Sequence, residues 1–314
     1  MELIRLKKGE YLNVNSPIVA TIGQFDGLHV AHLVLINKTM EIAKIKNYKS
    51  AIFTFDPHPD FVLKKDTSNT YVTPFDEKVN LLQQLGIDYA IVIEFNLGVA
   101  KLSPQAFIQD FLVANHVKEV VVGFDFSFGN QGRGKANMIE ELSNGHIICH
   151  IIDEIKYQNQ KIGTTFIKAL LHNGNVKLVK EIMGRYYKIT GKVVYGNQVG
   201  RTLNFPTANF HIDSAFVTLH AGVYVVRVTV DDKKYLGIAN LGTNPSFNHV
   251  DHMVFETHIF AFNKNIYGKT IDVELVDYIR DEIKFESKEA FLAQIANDTQ
   301  YAKDVCKKLK LLNK

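Results

Sequence analysis

The sequence predicts two domains of different build, an α/β domain with a parallel sheet followed by an antiparallel β domain with a terminal helix. Three observations carry this. In the first half, short β-branched runs alternate with helical spacing, the rhythm of βαβ units. From Ile189 onward, short strands with turn signals between them dominate, as in a small barrel. The length of 314 residues is about two domains of roughly 150 residues each, enough for two cores.

The elements follow in order. Charges interrupt the first eight residues, from Met1 to Lys8, where a signal peptide needs its apolar stretch, so export is not expected. Ile18 to Ile22 reads as a strand that ends at Gly23. Leu33, Ile36, Met40 and Ala43 then recur at helical spacing as one apolar stripe. Residues 51–55, 90–93 and 120–122 read as further strands, and 146–152 as a fifth. In such a sheet, ligands bind at the carboxyl ends of the strands. The pattern changes near residue 185, which sets the domains at 1–185 and 186–314. Every second residue is apolar across Tyr224, Val226, Val228 and Val230, and again across Ile271, Val273 and Leu275. A last helix starts after Ser287, a good N-cap, with Glu289 in its first turn. Phe291, Ile295, Asp298, Ala302, Val305 and Leu309 give it a face to pack on the barrel.

Composition narrows the function. Hydrophobic residues make up 46% and charged residues 22%, ordinary globular usage that excludes disorder and fibrous repeats. No run of 18 apolar residues exists to span a membrane. Thirty-six basic against 33 acidic residues leave +3, with no long basic block. That argues against a general nucleic-acid binder and suits anionic small molecules. Cys149 and Cys306 stand far apart with no CxxC pair, which reads as buried thiols in a reducing cytoplasm. Oligomeric state has no signal in the sequence.

Two segments carry chemistry. Gly23-Gln24-Phe25-Asp26-Gly27-Leu28-His29-Val30-Ala31-His32 follows the first strand and opens the first helix. Gly23 and Gly27 permit a tight turn, and a helix N-terminus attracts anions. His29 and His32, spaced i, i+3, share a face from which imidazoles can stabilise charge on a polyphosphate. A capped turn with two surface histidines is the plainer alternative. The second segment runs from Gly191 to Asn209. Gly196 and Gly200 flank a loop whose amides can surround phosphate, and Thr207 and Asn209 offer hard oxygen ligands suited to Mg²⁺. A Gly- and Asn-rich β-turn would explain part of this.

Gly23 to His32 resembles the GxFDGxHxGH signature of the bacterial bifunctional riboflavin kinase/FAD synthetase family, within the HxGH nucleotidylyltransferases. The resemblance runs over nearly the whole chain, through Thr54-Phe55-Asp56-Pro57-His58-Pro59, Leu102-Ser103-Pro104 and Gly123 to Gly129. The run Pro206-Thr207-Ala208-Asn209 resembles the core of the riboflavin kinase signature. The resemblance implies a Rossmann-like nucleotidylyltransferase domain that transfers AMP from ATP to FMN. It implies a barrel domain that phosphorylates riboflavin. ATP is then co-substrate and Mg²⁺ the cofactor, with riboflavin and FMN the other small-molecule substrates.

The resemblance also implies roles. In the first domain, Gly23, His29 and His32 hold ATP phosphates, within the signature that includes Phe25 and Asp26. His58 and Asp125 line the flavin region, although a rigid loop residue and a turn cap fit them equally. Thr164, Thr165 and Lys168 stand in the segment Ile162-Gly163-Thr164-Thr165-Phe166-Ile167-Lys168, where the family usually reads ISSTxIR. In the second domain, Glu256 is the catalytic base, Thr207 and Asn209 hold the metal, and Gly196, Gly200, Arg201, Asn240 and Arg280 approach nucleotide or flavin. An exposed outer position competes for Glu256, and an ion pair with Asp281 or Glu282 competes for Arg280.

Departures from the pattern cluster in the first domain. Ala31 stands for Gly in HxGH, Gly163 for a serine, and Lys168 for an arginine whose planar fork lysine lacks. Losing one charge-assisted contact costs about 1.5–3 kcal/mol, which slows transfer without abolishing it. In the second domain, Tyr195 stands for His and Asn204 for Gly. The competing functions are a riboflavin kinase with a degenerate first domain acting as scaffold or regulatory site, a non-catalytic flavin-binding regulator, and a nucleotidylyltransferase with another acceptor.

Overall fold

The computed structural model describes residues 1–195, 205–245 and 251–311. They form two compact units, Met1–Thr164 and Thr165–Lys314.

In the first unit, six strands lie in one sheet: β1 (Glu2–Leu6), β2 (Ile18–Ile22), β3 (Lys49–Asp56), β4 (Tyr89–Glu94), β5 (Val117–Gly123) and, after a short β6–β7 ribbon (Ser127–Phe128 and Gly134–Lys135), β8 (Ile148–Ile152). Their order is β1-β4-β3-β2-β5-β8, and every pairing is parallel. A small hairpin, β9–β10 (Lys156–Tyr157 and Gln160–Lys161), follows.

β2 is buried at all five residues, as the middle of a parallel sheet with both faces covered requires. Ile18, Ala20 and Ile22 join a cluster with Phe53, Val120 and Phe107 on one face. Val19 meets Ile42 and Ala43 of the helix Val30–Lys46 on the other. On that helix Ile36 and Ala43 are buried as expected, while Leu33 and Met40 are only partly so. Thr39 takes a core position, its hydroxyl donating to the Leu35 carbonyl (2.9 Å). From β2 the chain pairs with β3 on one side and β5 on the other. The loops after β2 and β5 therefore open at the switch point of the sheet, where ligands of such folds bind.

The second unit is a closed antiparallel barrel. Its strands β11 (Tyr187–Val194), β12 (Ala208–His211), β13 (Gly222–Val230), β14 (Lys233–Pro245), β15 (Asp251–Ile259) and β16 (Thr270–Arg280) close in the order β11-β12-β15-β14-β13-β16. Phe210 and Phe255 stack inside it (5.2 Å between centroids), and a Cβ at Gly191 would lie 2.1 Å from the Phe210 ring, so only glycine fits there. The helices Thr164–His172 and Val176–Met183 also pack on this unit. The Leu171 carbonyl accepts from the His220 N–H (3.1 Å), and Lys177 pairs with Asp277 (2.8 Å).

The last helix, Lys288–Lys308, starts where expected: the Ser287 hydroxyl accepts from the Ala290 N–H (3.1 Å). Ala302 and Cys306 pack against Val225, Leu236, Ile238 and Val276. Leu309, expected on this face, is 43% exposed, because the helix ends at Lys308 and Cys306 holds the core position. Both cysteines are free. Cys306 is buried, Cys149 only half so, and burial pushes each thiol up to about 11.

Candidate active sites

The first site is the turn between β2 and the helix Val30–Lys46. Gly27 lies at φ +83°, where glycine is at ease, while Phe25 (φ +52°) and Leu28 (φ +40°) hold the same left-handed region through burial of their side chains. A Cβ at Gly23 would press on the Phe25 ring at 3.2 Å. The Asp26 carboxylate accepts from the amides of Val72 (3.1 Å) and Thr73 (2.8 Å), tying the turn to a neighbouring loop. The Thr164 hydroxyl donates to the Asp26 carbonyl (3.1 Å).

His29 is the helix N-cap rather than a first-turn residue. Its Nδ1 accepts from the His32 N–H (3.4 Å), and the two rings stack 3.6 Å apart. His29 is 4% exposed, so the pair is not a pair of surface histidines. Thr165 and Lys168 belong to the helix Thr164–His172, on the far side of the division between units.

His58 caps the short helix Pro59–Val62, its Nδ1 accepting from the Asp60 N–H (3.1 Å). Its ring lies 5.0 Å from Phe61 and 6.1 Å from Tyr71. Among the described residues Asp125 caps no turn; it pairs with Lys161, whose ammonium lies over the Phe124 ring (5.3 Å).

Three polar groups here escaped the sequence reading. Lys78, on the helix Phe75–Leu85, is 2% exposed and donates to the Gln24 carbonyl and to Thr54 Oγ1, both at 3.1 Å. The Thr54 hydroxyl donates in turn to the Gln24 carbonyl (3.1 Å). Both polar atoms of the Gln24 carboxamide are buried with no protein partner among the described residues. The available signal was spacing: Phe75, Lys78 and Leu82 share one helix face, and Leu82 is a core residue.

The second site crosses the barrel wall. Asn209 of β12 is in register with Glu256 of β15, Glu256 with Asn240 of β14, Asn240 with Val223 of β13, and Val223 with Arg280 of β16. Cross-strand partners project to one face, so the barrel lays these residues in a single row. Asn240 stands within strand β14 rather than in a loop. Thr207, two residues before Asn209 along the chain, lines two cavities.

One cavity, of about 290 Å³, is walled by Phe205, Ile238, Ile283, Phe285, Phe291 and Ile295, with Glu256, Asn240, Glu282 and Arg280 as polar lining. The other, of about 370 Å³, includes Thr207, Asn263, Lys264, Asn265 and Tyr267. His258 fixes the segment between them: its ring stacks on Phe205 (3.6 Å) and its Nδ1–H donates to the Pro206 carbonyl (2.8 Å). Burial pushes the His258 pKa down, which keeps the ring neutral.

Glu256 is exposed at the cavity wall, and its carboxyl is pushed up, first by desolvation and then by the nearby charge of Glu282. Glu282 accepts from the Asn240 carboxamide (3.0 Å). Arg280 pairs with neither Asp281 nor Glu282 side chains. Its Nε and Nη2 grip the Asp298 carboxylate of the last helix (2.8–3.2 Å), and its Nη1 donates to the Asp281 carbonyl (2.9 Å). That pairing explains why Asp298 sits in an apolar stripe at 3% side-chain exposure. Gly196, Gly200 and Arg201 lie outside the described residues.

A parallel sheet ending in a glycine–histidine turn, carried in one chain with a two-cavity barrel, defines a two-site nucleotide-dependent transferase. The FAD synthetase family model matches residues 12–166, and the riboflavin kinase family model matches residues 183–306. The chain is 34% identical over 292 residues to a bifunctional riboflavin kinase/FMN adenylyltransferase of Listeria monocytogenes, across 93% of this chain and 92% of that one. A protein of the same description from Bacillus subtilis is 34% identical over 287 residues, across 90% and 91%. A crystal structure described as a macrolide-efflux protein from Streptococcus pneumoniae superposes with a TM-score of 0.90 at 29% identity, covering 96% of this chain and 99% of that one. Among the described residues of this chain, no helix is long and apolar enough to cross a membrane. The chain belongs to the bifunctional riboflavin kinase/FMN adenylyltransferase family, and both of its domains are present.

Proposed function

We propose that the barrel phosphorylates riboflavin with ATP to give FMN, and that the sheet unit joins AMP from a second ATP to FMN to give FAD and pyrophosphate. The observation that carries the first step is the row Asn209–Glu256–Asn240 beside two cavities that share Thr207. The apolar cavity suits a flavin ring, and the polar one, with Lys264, suits a nucleotide. Glu256 accepts the proton of the riboflavin 5′-hydroxyl as that oxygen bonds to the γ-phosphorus and the bond to ADP breaks. Asn240 and Glu282 orient the flavin end, and the Arg280–Asp298 pair fixes the last helix against it.

Thr207 and Asn209 fit Mg²⁺: both offer neutral oxygens, and Mg²⁺ takes its remaining ligands from phosphate and water. Among the described residues no group of three acidic, His or Cys side chains competes for that role. When bound, the ion neutralises phosphate charge.

At the sheet unit, an FMN phosphate oxygen attacks the α-phosphorus of ATP and pyrophosphate leaves, with no covalent enzyme intermediate. Gly23, His29 and His32 hold the polyphosphate, Phe25 and Asp26 shape the turn, and His58 and Asp125 border the acceptor. We place the functional boundary near residue 185, so that Thr164, Thr165 and Lys168 serve the adenylyl step. The protein works in the cytoplasm on small molecules, without nucleic acid.

The test is incubation with riboflavin, ATP and Mg²⁺, followed by chromatographic separation of riboflavin, FMN and FAD. FMN and then FAD should accumulate. FMN without FAD, even when FMN is supplied, would instead select the kinase-only reading that Gly163 and Lys168 favour.

A further inference from the structure

A charge buried in a protein without an opposite charge in contact is costly even when neutral groups hydrogen-bond it. Lys78 is such a charge. Its ammonium is 2% exposed and is held by two neutral oxygens, the Gln24 carbonyl and Thr54 Oγ1. Among the described residues, no carboxylate forms an ion pair with it. The nearest acidic groups are otherwise engaged: Asp26 accepts the Val72 and Thr73 amides, and Asp56 pairs with Arg5 (2.8 Å). The remaining face of the ammonium looks toward the Phe75 ring (5.7 Å).

The place of this charge matters. Gln24 directly follows Gly23 in the turn after β2. Its carbonyl takes hydrogen bonds from both Lys78 and Thr54. A trans peptide points its C=O and N–H to opposite sides, so anchoring the Gln24 carbonyl beneath the turn directs the Phe25 N–H to the other side. The orphaned Gln24 carboxamide belongs to the same residue.

We propose that Lys78 is a positioning residue for adenylyl transfer: it fixes the Gln24–Phe25 peptide of the turn from below, and it holds a positive charge that the bound polyphosphate neutralises. This rests on the sheet unit being the adenylyl-transfer site. Desolvation pushes the Lys78 pKa down to about 8, against the opposing pull of Asp26 and Asp56. The charged groups that act on it are Asp26 of the turn and Asp56 of β3, and Arg5 of β1 shares the Phe75 ring with it (4.8 Å).

The sign follows. Below about pH 8 Lys78 is charged and ATP is attracted; above it the charge is lost and ATP binding weakens. The experiment measures the KM for ATP in FAD formation and in FMN formation, from below to above that pH, for the wild type and for Lys78→Met. In the wild type, the KM of FAD formation should rise through about pH 8 while that of FMN formation does not follow it. Lys78→Met should have a KM for ATP in FAD formation raised about tenfold or more at neutral pH, and a flat profile. The wild-type profile needs no substitution, so loss of folding in the variant does not obscure it. A flat wild-type profile, or an unshifted KM in Lys78→Met, overturns the role of Lys78 while FAD formation stands. Absence of FAD formation from the wild type at every pH overturns the adenylyl reading itself, and this inference with it.

Discussion

Glu256 shows how two neighbours tune one carboxylate. In its proposed role as base it must be ionised, and both desolvation and Glu282 raise its pKa. Riboflavin phosphorylation should therefore fall as pH drops through that raised value, with full rate above it. Replacing Glu282 by Gln removes one of the two causes, so the acid limb of kcat against pH should move to lower pH; an unmoved limb would remove Glu282 from this role. Glu256→Gln should lose phosphorylation almost entirely, because a carboxamide cannot take the proton. At the other site, an ideal Cβ on Gly163 meets no atom within 4 Å, so a serine fits without displacement. If the segment serves adenylyl transfer as proposed, Gly163→Ser combined with Lys168→Arg should raise the rate of FAD formation by about tenfold or more, since each would add a charge-assisted contact to phosphate. An unchanged rate would mean that neither departure limits the transfer.

At the scale of elements, the last helix is held by one buried fork as much as by its apolar face. Asp298 accepts from Arg280 and from the Gln294 carboxamide (2.9 Å). Asp298→Ala leaves the guanidinium without its partner and should destabilise the barrel by about 3 kcal/mol, read as a lower denaturant midpoint. The KM for riboflavin should rise with it, because Phe291 and Ile295 on the same helix wall the apolar cavity. A wild-type midpoint would show the fork to be dispensable.

The start of this helix was legible in advance, since Ser287 is a strong cap, whereas its end at Lys308 was not. Asp298 was read as one more position of the stripe, and its burial depends on a partner that only the folded barrel supplies. β2 to β5 were legible from their β-branched runs. β1 was not: as an edge strand it buries only Leu6 fully, and its charges disguise it. The row from Asn209 to Arg280 was present as scattered residues, but register between strands distant in sequence is not written in spacing. Lys78 was hidden for a related reason, because a lysine on an amphipathic helix is ordinarily a solvated one.

The molecule as a whole joins two reactions in sequence, with the product of the barrel serving as substrate for the sheet unit. Each unit has its own core, and the two proposed sites draw on different domains, so damage to one site should leave the other working. The decisive measurement is product analysis by chromatography on His29→Ala and Glu256→Gln side by side, each supplied with ATP and Mg²⁺ and with either riboflavin or FMN. His29→Ala should convert riboflavin to FMN at a rate close to wild type while its FAD formation drops by about a hundredfold. Glu256→Gln should leave riboflavin unconverted yet still turn supplied FMN into FAD. Parallel loss of both products in either variant would contradict two independent catalytic centres in one chain.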